Sequence, residues 1–469
     1  MTSWKRWKQV ALWVALMGLP AYAQGLPDDI KKALEQTRLP PSALHVVVAP
    51  ASGGKPMFAL QAEKPVNPAS LMKLVTTGAA LDMLGPTYTW RTPVLADGEV
   101  SAGELRGSLS LQGRGDPKLV AERLWLLMRR IKALGIERIR GDIVLDQSAF
   151  DVPMVDPGAF DGEPTRPYNA SPQALLVHFK SVLLHFNVDP VQRVTRLHGE
   201  PPLAGTRWPA TVPLQPGPCT DYRANLKADF SNPADWKFRG AYPADCGERI
   251  WPIADPDPGS FAHRAIEGMW RHIGGELTGQ VRTGRISASA RPLLVAESPT
   301  LAEVIRDINK FSNNLMAEQL FLTLSLQAGG AGQFEASRTL IRRWWDQNIG
   351  VAGLEVDNGS GLSRTGRATA WGLAALLQRL WAGPYMPELM ASLPISSVDG
   401  TLRRSTAQAQ AHLKTGSLKN VLGVAGYVDG DQGQRRVLVA IIEHPQAQNG
   451  RKVLDALIDW AARADPHQP

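Results

Sequence analysis

The N-terminal part of the chain alternates between helical and strand-like hydrophobic patterns. Apolar positions recur with a helical period over residues 28–38, which predicts a short amphipathic helix. Apolar runs at residues 44–49 and 56–62 are separated by a Gly-rich turn and predict two strands. A second helix is predicted over residues 68–84, because Pro68 opens it and a Gly-Pro pair ends it.

The C-terminal part has the same character. Residues 411–415, 420–428 and 435–443 predict three strands, and the last two are joined by a polar hairpin turn. Residues 451–464 place their apolar side chains on one helical face. We expect this final helix to pack on the sheet rather than on a membrane.

The middle of the chain follows a different pattern. From about residue 91 to residue 290 there are many short β-like runs, and Pro-rich stretches at 201–218 and 252–258 interrupt them. This arrangement predicts one or two separate β-rich lobes between the two ends.

Composition and charge narrow the class of protein. The 469 residues are 44% apolar and 20% charged, which is typical of a globular protein. The formal charge is +7, and three of these charges, Lys5, Arg6 and Lys8, lie in the first eight residues. Without them the charge is +4, and no basic block elsewhere predicts nucleic acid as a partner.

Residues 1–23 have the three parts of a secretory signal peptide. A basic segment is followed by an apolar run too short to span a bilayer and by the small-residue site Ala21-Tyr22-Ala23. We expect cleavage before Gln24 and an exported, periplasmic protein, with an uncleaved anchor helix as the alternative. No later run reaches the length of a membrane span, so no integral membrane segment is expected after cleavage.

Cys219 and Cys246 are the two cysteines of the chain. In an oxidising compartment such a pair predicts one disulfide bond, and two free buried thiols are the alternative. A metal site is not expected, because the two thiols have no histidine partners at ligand spacing.

Three short motifs occur in order along the chain: S-x-x-K at Ser70–Lys73, S-x-N at Ser312–Asn314 and K-T-G at Lys414–Gly416. Together they are the signature of serine acyl transfer in penicillin-binding proteins and β-lactamases. A second S-x-x-K at Ser52–Lys55 lies in a Gly-rich turn, where nothing fixes its serine and lysine on one face. In the predicted helix, by contrast, Ser70 and Lys73 are surface neighbours.

Each motif also has a purely structural interpretation. Ser70 fits a helix start with Lys73 as a solvated side chain, Ser312 fits a helix N-cap, and Lys414 fits an exposed strand lysine. Their order, their predicted elements and the export signal together favour catalysis.

The chain resembles the D-alanyl-D-alanine carboxypeptidase/endopeptidases known as class C low-molecular-mass penicillin-binding proteins, of the DacB type. The long interval between the first and second motifs is its most specific feature. The matching stretches are Pro68–Thr77, Gly113–Leu119, Tyr168–Leu175, Lys310–Glu318, Asp357–Arg364, Ser397–Arg404 and Leu413–Leu418.

This resemblance implies an α/β (α+β) fold. A transpeptidase-like catalytic domain, formed by residues 24–90 and 291–469, would contain an antiparallel sheet flanked by helices. Residues 91–290 would form the inserted region, with two nested β-rich lobes.

The resemblance also implies a mechanism on peptidoglycan stem peptides that needs no cofactor and no metal. Ser70 would form the acyl-enzyme, and β-lactams would acylate it covalently. Lys73 would act as base, its pKa lowered by burial and by the charge of Lys414, and Ser312 would pass the proton to the leaving amine. The backbone N–H groups of Ser70 and Ser417 would form the oxyanion hole.

The remaining implied residues bind substrate. Asn314 would hold a backbone amide, Lys414 and Thr415 the terminal carboxylate, and Gly416 would leave room for the substrate strand.

For a diaminopimelate side chain, Asp161 would pair with the amine and Arg364 with the carboxylate. A solvated acid and a structural arginine are the alternatives for these two residues. The alternative functions are a β-lactamase and a catalytically silent cell-wall-binding protein.

Overall fold

The computed structural model describes residues 25–431 and 433–464, so the predicted signal peptide lies outside the described residues. The α-helices are, in chain order, α1 (Asp28–Thr37), α2 (Met72–Leu84), α3 (Ala121–Ala133), α4 (Tyr222–Leu226), α5 (Phe261–His272), α6 (Leu301–Lys310), α7 (Asn314–Gln327), α8 (Phe334–Asn348), α9 (Ala370–Trp381), α10 (Met386–Ser392) and α11 (Arg451–Arg463).

The strands are, in chain order, β1 (Leu44–Pro50), β2 (Phe58–Leu60), β3 (Arg91–Ser101), β4 (Glu104–Gln112), β5 (Arg138–Ile139), β6 (Ile143–Asp146), β7 (Ser181–Asp189), β8 (Val194–Glu200), β9 (Thr211–Gln215), β10 (Ala228–Asp229), β11 (Lys237–Phe238), β12 (Tyr242–Pro243), β13 (Arg249–Ala254), β14 (Glu276–Leu277), β15 (Val281–Thr283), β16 (Arg291–Glu297), β17 (Ala411–Leu418), β18 (Val421–Asp429) and β19 (Arg435–Glu443).

The two ends of the chain meet in one antiparallel sheet of order β17-β18-β19-β1-β2. The elements predicted at both ends are therefore confirmed, although β2 is shorter than the predicted run and a 3-10 turn at Ala69–Leu71 precedes α2. Pairing of β1 with β19 joins residues almost 400 positions apart, so this sheet holds the two ends of the chain together.

Both faces of this sheet are covered, which explains its unbroken apolar strands. Consecutive residues such as Val46 and Val47 point to opposite faces of the sheet, into two different hydrophobic clusters. Helices α1 and α11 cover one face, and the helical layer with α2, α7 and α9 covers the other. The first motif begins in that helical layer, against the sheet.

The middle of the chain builds two further large sheets, besides a short two-stranded sheet of β10 and β11. One has the order β14-β5-β4-β3-β16, with β6 and β15 added beside β4, and the other has the order β12-β9-β8-β7-β13. Both sheets share one hydrophobic cluster with α3 and α5. Strand β3 pairs with β16, with Arg91 opposite Glu297, so the chain leaves and returns at one place. The domain boundaries at residues 91 and 290 and the division into two lobes remain predictions.

A disulfide joins Cys219 to Cys246, as the sequence predicted, with 4.5 Å between their Cα atoms. It lies beside the second of these sheets, between the end of β9 and the start of β13. Across residues 25–431 and 433–464, no helix has both the length and the apolar character needed to cross a bilayer.

Candidate active site

Ser70 lies in the Ala69–Leu71 turn, just before α2. Ala69, the residue before it, has φ of 48°, in the left-handed region that costs a non-glycine residue about 1 kcal/mol. The side chain of Asn67 holds this conformation, because its Oδ1 accepts the N–H of Ala69 at 2.8 Å. Strained backbone of this kind is common where a side chain must be aimed.

Lys73, one turn further on, is completely buried, so its interpretation as a solvated side chain is wrong. Its Nζ makes three hydrogen-bond contacts: with Ser70 Oγ at 3.0 Å, with Asn314 Oδ1 at 2.7 Å and with the backbone oxygen of Ser360 at 2.6 Å. Asn314 and Ser360 offer only acceptor oxygens there. A neutral amine has two N–H donors and one lone pair, so with both donors engaged the lone pair faces the Ser70 hydroxyl.

Burial lowers the pKa of Lys73 to about 7, and the nearby carboxyl of Glu318 opposes that shift. The neutral amine is therefore accessible near neutral pH. Burial also lowers the pKa of Lys414 well below its usual value, and the charge of Lys73 adds to this effect. The charge of Lys73 therefore acts on Lys414, whereas the shift at Lys73 comes from burial and not, as the sequence had suggested, also from the charge of Lys414.

Ser312 and Lys414 face each other across the same site. Lys414 Nζ donates to Ser312 Oγ at 2.9 Å and to its neighbour's backbone oxygen, Thr415 O, at 2.6 Å. Lys414 is fully buried rather than exposed on its strand. Ser312 has φ of 56° and is not the helix cap, because the side chain of Asn313 caps α7 by accepting from Met316 N at 3.0 Å.

Two residues of the motifs, Asn314 and Gly416, make contacts that the sequence did not suggest. The Asn314 amide is engaged on both sides, with Oδ1 on Lys73 and Nδ2 donating to Tyr168 O at 3.3 Å. It therefore orients the lysine, besides lining the cleft. A Cβ on Gly416 would lie 2.8 Å from Pro68 O, so this glycine lets β17 pack against the Ser70 turn. Its role in leaving space for a substrate strand stays a prediction.

A cleft of about 810 Å³ opens in front of Ser70, and we call it the Ser70 cleft. Asn67, Ser312, Asn314 and Ser417 line it from the catalytic side. The structure also brings Asp161 and Arg364 to its wall.

Asp161 is exposed and accepts from Tyr168 Oη at 2.9 Å and from Asn169 Nδ2 at 2.7 Å. Slight desolvation is outweighed by these hydrogen bonds, which lower the pKa of the carboxyl. The Arg364 guanidinium stacks 4.9 Å from the ring centre of Phe160. A negatively charged and a positively charged side chain thus line the same cleft as the nucleophile.

A smaller recess of about 300 Å³, the Thr415 recess, lies on the other side of Ser70 and Ser312. Thr415, Gly416 and Ser417 line it, and Thr415 Oγ1 donates to Thr401 Oγ1 at 2.7 Å. Arg404 contributes a positive charge to its wall. Lys414 is buried and does not line this recess, although the sequence suggested that it touches a carboxylate directly.

Sequence reasoning gave no role to Glu318, Ser360 or Thr401. Glu318 is a buried acid in the middle of an apolar helix, and that unusual position is a signal that could have singled it out. Ser360 acts through its backbone oxygen, which no side-chain motif reveals.

A serine hydroxyl 3.0 Å from the nitrogen of a buried lysine, next to the edge of an antiparallel sheet, is the arrangement of serine hydrolases whose nucleophile lies beside a lysine. The sequence pattern described as the D-Ala-D-Ala carboxypeptidase 3 (S13) family matches residues 26–464. The chain belongs to this family. Its assignment as a D-Ala-D-Ala carboxypeptidase, over the β-lactamase and the silent wall-binding protein, is confirmed.

Individual relatives agree with this assignment. The D-alanyl-D-alanine carboxypeptidase of Actinomadura sp. (strain R39) is 30% identical over 436 residues, covering 87% of this chain and 79% of the relative. The crystal structure of penicillin-binding protein 4 (dacB) from Haemophilus influenzae superposes with a TM-score of 0.72 at 22% identity, covering 92% of this chain and 99% of that one. The same Haemophilus influenzae protein in complex with a β-lactam gives a TM-score of 0.67 at 21% identity, over 91% and 98% of the two chains. The predicted fold class is confirmed.

Proposed function

We propose that the chain removes the terminal D-alanine from peptidoglycan stem peptides through an acyl-enzyme on Ser70, with Lys73 as base. The observation that carries this proposal is the geometry at Lys73 Nζ. Two acceptors, Asn314 Oδ1 and Ser360 O, occupy its donors, so its lone pair is directed at Ser70 Oγ at 3.0 Å. An activated serine needs such a positioned base.

The reaction then forms the acyl-enzyme and hydrolyses it, with each proton passed between named groups. The Ser70 proton moves to Lys73 Nζ as Oγ bonds to the peptide carbonyl carbon, and the oxyanion is held by the N–H groups of Ser70 and Ser417. Collapse breaks the C–N bond as Ser312 passes to the leaving amine the proton that Lys73 took from Ser70, so that Lys73 is neutral again. Lys414, which donates to Ser312 Oγ, supports that transfer. Water then attacks the ester carbon and gives a proton to Lys73, and the C–O bond breaks as this proton returns to Ser70 Oγ.

The terminal carboxylate of the substrate belongs in the Thr415 recess. The Thr415 hydroxyl and the Arg404 guanidinium line this recess next to Ser70. A bound carboxylate would also stabilise the protonated form of Lys414 behind the wall, raising its pKa again. Substrate binding and protonation of Lys414 are thereby linked.

The stem peptide itself would lie along the Ser70 cleft, with Asp161 near a side-chain amine and Arg364 near a side-chain carboxylate. Both residues line that cleft with Ser70. An additional cleft of about 930 Å³ lies between Phe311–Leu315 and the inserted region. It has room for a second stem peptide, which supports endopeptidase action on cross-links beside carboxypeptidase action.

An exported, periplasmic location fits this substrate. The Cys219–Cys246 disulfide supports an oxidising compartment, since such bonds are rare in the cytosol. A β-lactam would act as a covalent inhibitor, because it resembles D-Ala-D-Ala and its opened ring keeps the leaving group attached to the acyl-enzyme.

The test is covalent labelling with a fluorescent penicillin. We expect the wild type to be labelled at Ser70 and Ser70→Ala to lose the label. Ser52→Ala, in the second S-x-x-K, is the matched control and should label normally. A Ser70→Ala variant that is still labelled, with the adduct mapped to another serine, would overturn the proposal. Mass analysis of muropeptides then separates loss of D-alanine from cleavage of cross-linked dimers.

A further inference from the structure

A buried carboxyl stands behind the catalytic lysine without a place in the mechanism above. Glu318 lies one turn after Asn314 on α7 and is 8% exposed. Its Oε1 accepts a hydrogen bond from Ser360 Oγ at 3.0 Å. A carboxyl at such depth is costly unless it has a function or a partner charge.

Ser360 joins this acid to the base. Its backbone oxygen accepts from Lys73 Nζ at 2.6 Å, while its hydroxyl donates to Glu318. The N–H and the hydroxyl of Ser360 both also donate to Asn358 Oδ1, at 3.0 and 2.9 Å. The residue is completely buried, so its two contacts hold Lys73 and Glu318 in a fixed relation.

The turn that carries Ser360 is wedged between α7 and the nucleophile. Gly359 and Gly361 flank it with φ of 76° and 78°. A Cβ on Gly359 would lie 2.6 Å from the Phe321 ring, and one on Gly361 would lie 1.9 Å from Ala69 O. The sequence Asn358–Gly361 therefore fits one conformation, in which a backbone oxygen reaches Lys73.

The charges around Glu318 come from several elements. Lys73 on α2 favours the carboxylate, and Asp357, in the loop before Ser360, disfavours it. Burial is the largest influence and raises the pKa of Glu318, whereas the hydrogen bond from Ser360 and the charge of Lys73 lower it again and favour the carboxylate. Glu318 also lies on the wall of a rear pocket of about 430 Å³, whose charged lining residues are Asp156, Arg338, Asp357 and Arg364. Of these, Arg338 is paired with Asp357 at 3.0 Å.

We propose that Glu318 is a positioning residue for catalysis: held by Ser360 behind Lys73, its negative charge stabilises the ammonium that Lys73 becomes on taking the Ser70 proton. The inference rests on the proposed role of Lys73 as base. Two buried lysines face each other across the site, and Glu318 is the acid placed to balance the charge of Lys73. Without it, Lys73 would be a weaker base.

The sign of the effect can be tested. A negative charge raises the pKa of Lys73, so its removal lowers that pKa. The neutral amine is the active form, so the rate of acylation rises with pH as Lys73 loses its proton. In Glu318→Gln, which keeps the shape and an acceptor for Ser360, this rise should move to lower pH by about one unit.

The measurement is the second-order rate of acylation by a fluorescent penicillin as a function of pH. Glu318→Asp keeps the charge and should leave the rise close to its wild-type position. A rise in Glu318→Gln that coincides with the wild type, whatever the height of the plateau, overturns the proposal. So does a Glu318→Asp profile that moves as far as that of Glu318→Gln.

Ser360→Ala covers the case in which Glu318→Gln does not fold. Loss of its hydroxyl removes a hydrogen bond that favours the Glu318 carboxylate, so the rise should again move to lower pH. An unchanged profile in this variant contradicts the proposal. The Ser70→Ala control keeps the two ideas apart: persistent labelling there refutes the proposed function, whereas an unshifted profile refutes only the role of Glu318.

Discussion

The two walls of the Ser70 cleft are built on opposite principles. On the catalytic wall, the ionisable groups Lys73, Lys414 and Glu318 are buried, and regular elements carry each of them. On the wall from the inserted region, Asp161 and Tyr168 are exposed; Asp161 lies in a loop and Tyr168 in a single 3-10 turn. The groups for which we propose a part in the proton transfers are fixed and desolvated, whereas groups that would choose the substrate stay in water.

Backbone strain is distributed in the same way. The left-handed residues Ala69 and Ser312 both belong to the catalytic wall, next to or within the motifs. Each costs about 1 kcal/mol and persists only because the surrounding contacts are strong. The exposed wall is held mainly by hydrogen bonds to Asp161, which water can replace at little cost. We therefore expect changes to the catalytic wall to have much larger effects.

The largest effect should follow Lys73→Arg. Arginine stays protonated, so it cannot accept the Ser70 proton, and acylation by penicillin should fall on the order of a thousandfold. In the wild type, acylation should rise as pH passes about 7, where Lys73 becomes neutral. The variant should show no such rise. Lys64→Arg, on the exposed surface, is the control and should match the wild type. Acylation of Lys73→Arg within tenfold of the wild type would show that another group is the base.

An intermediate effect, on stability rather than chemistry, should follow loss of the disulfide in the inserted region. Replacement of Cys219 and Cys246 by alanine opens a loop of 27 residues and should lower the free energy of unfolding by about 3 kcal/mol. Acylation at 25 °C should be unchanged, because neither cysteine lines the Ser70 cleft or the Thr415 recess. Thermal unfolding and penicillin labelling of the same sample test both statements, with reduced wild type as the control. Equal loss of labelling and stability would mean that the two regions are one cooperative unit.

The sequence predicted the parts of the site that are close in the chain or that belong to strong local patterns. Ser70 and Lys73 lie three positions apart, so a helix alone brings them together. The inner strands β18, β19 and β1 of the central sheet were predictable because they are mostly apolar, as strands buried on both faces must be.

What the sequence missed depends on packing between distant segments. Glu318 and Ser360 approach Lys73 only once α7 and the Asn358–Gly361 turn are in place. The close approach of Gly416 to Pro68, at the other end of the chain, cannot be seen in a three-residue motif. Burial of Lys414 behind Ser312 is likewise a property of the assembled site.

The smallest effect should come from the exposed wall, through Asp161→Asn. The carboxyl is ionised at neutral pH, because hydrogen bonds from Asn169 and Tyr168 lower its pKa against slight desolvation. Its pairing with a substrate amine in water should be worth a few-fold in kcat/KM, as for other exposed ion pairs. We expect this loss with a stem pentapeptide that carries a free side-chain amine, and a smaller loss at high salt.

Two comparisons make that small effect decisive. The same peptide with its side-chain amine acetylated should be cleaved equally by the wild type and by Asp161→Asn, and penicillin acylation should also be equal, since neither presents the amine. Glu163→Gln changes a neighbouring acid of the same stretch, already paired with Arg166 at 3.3 Å, and should leave all three reactions unaltered. An equal loss on the free and acetylated peptides would mean that Asp161 shapes the stretch through Tyr168 and does not bind the amine. The exposed wall would then affect catalysis through its own conformation and not through a contact with the substrate amine.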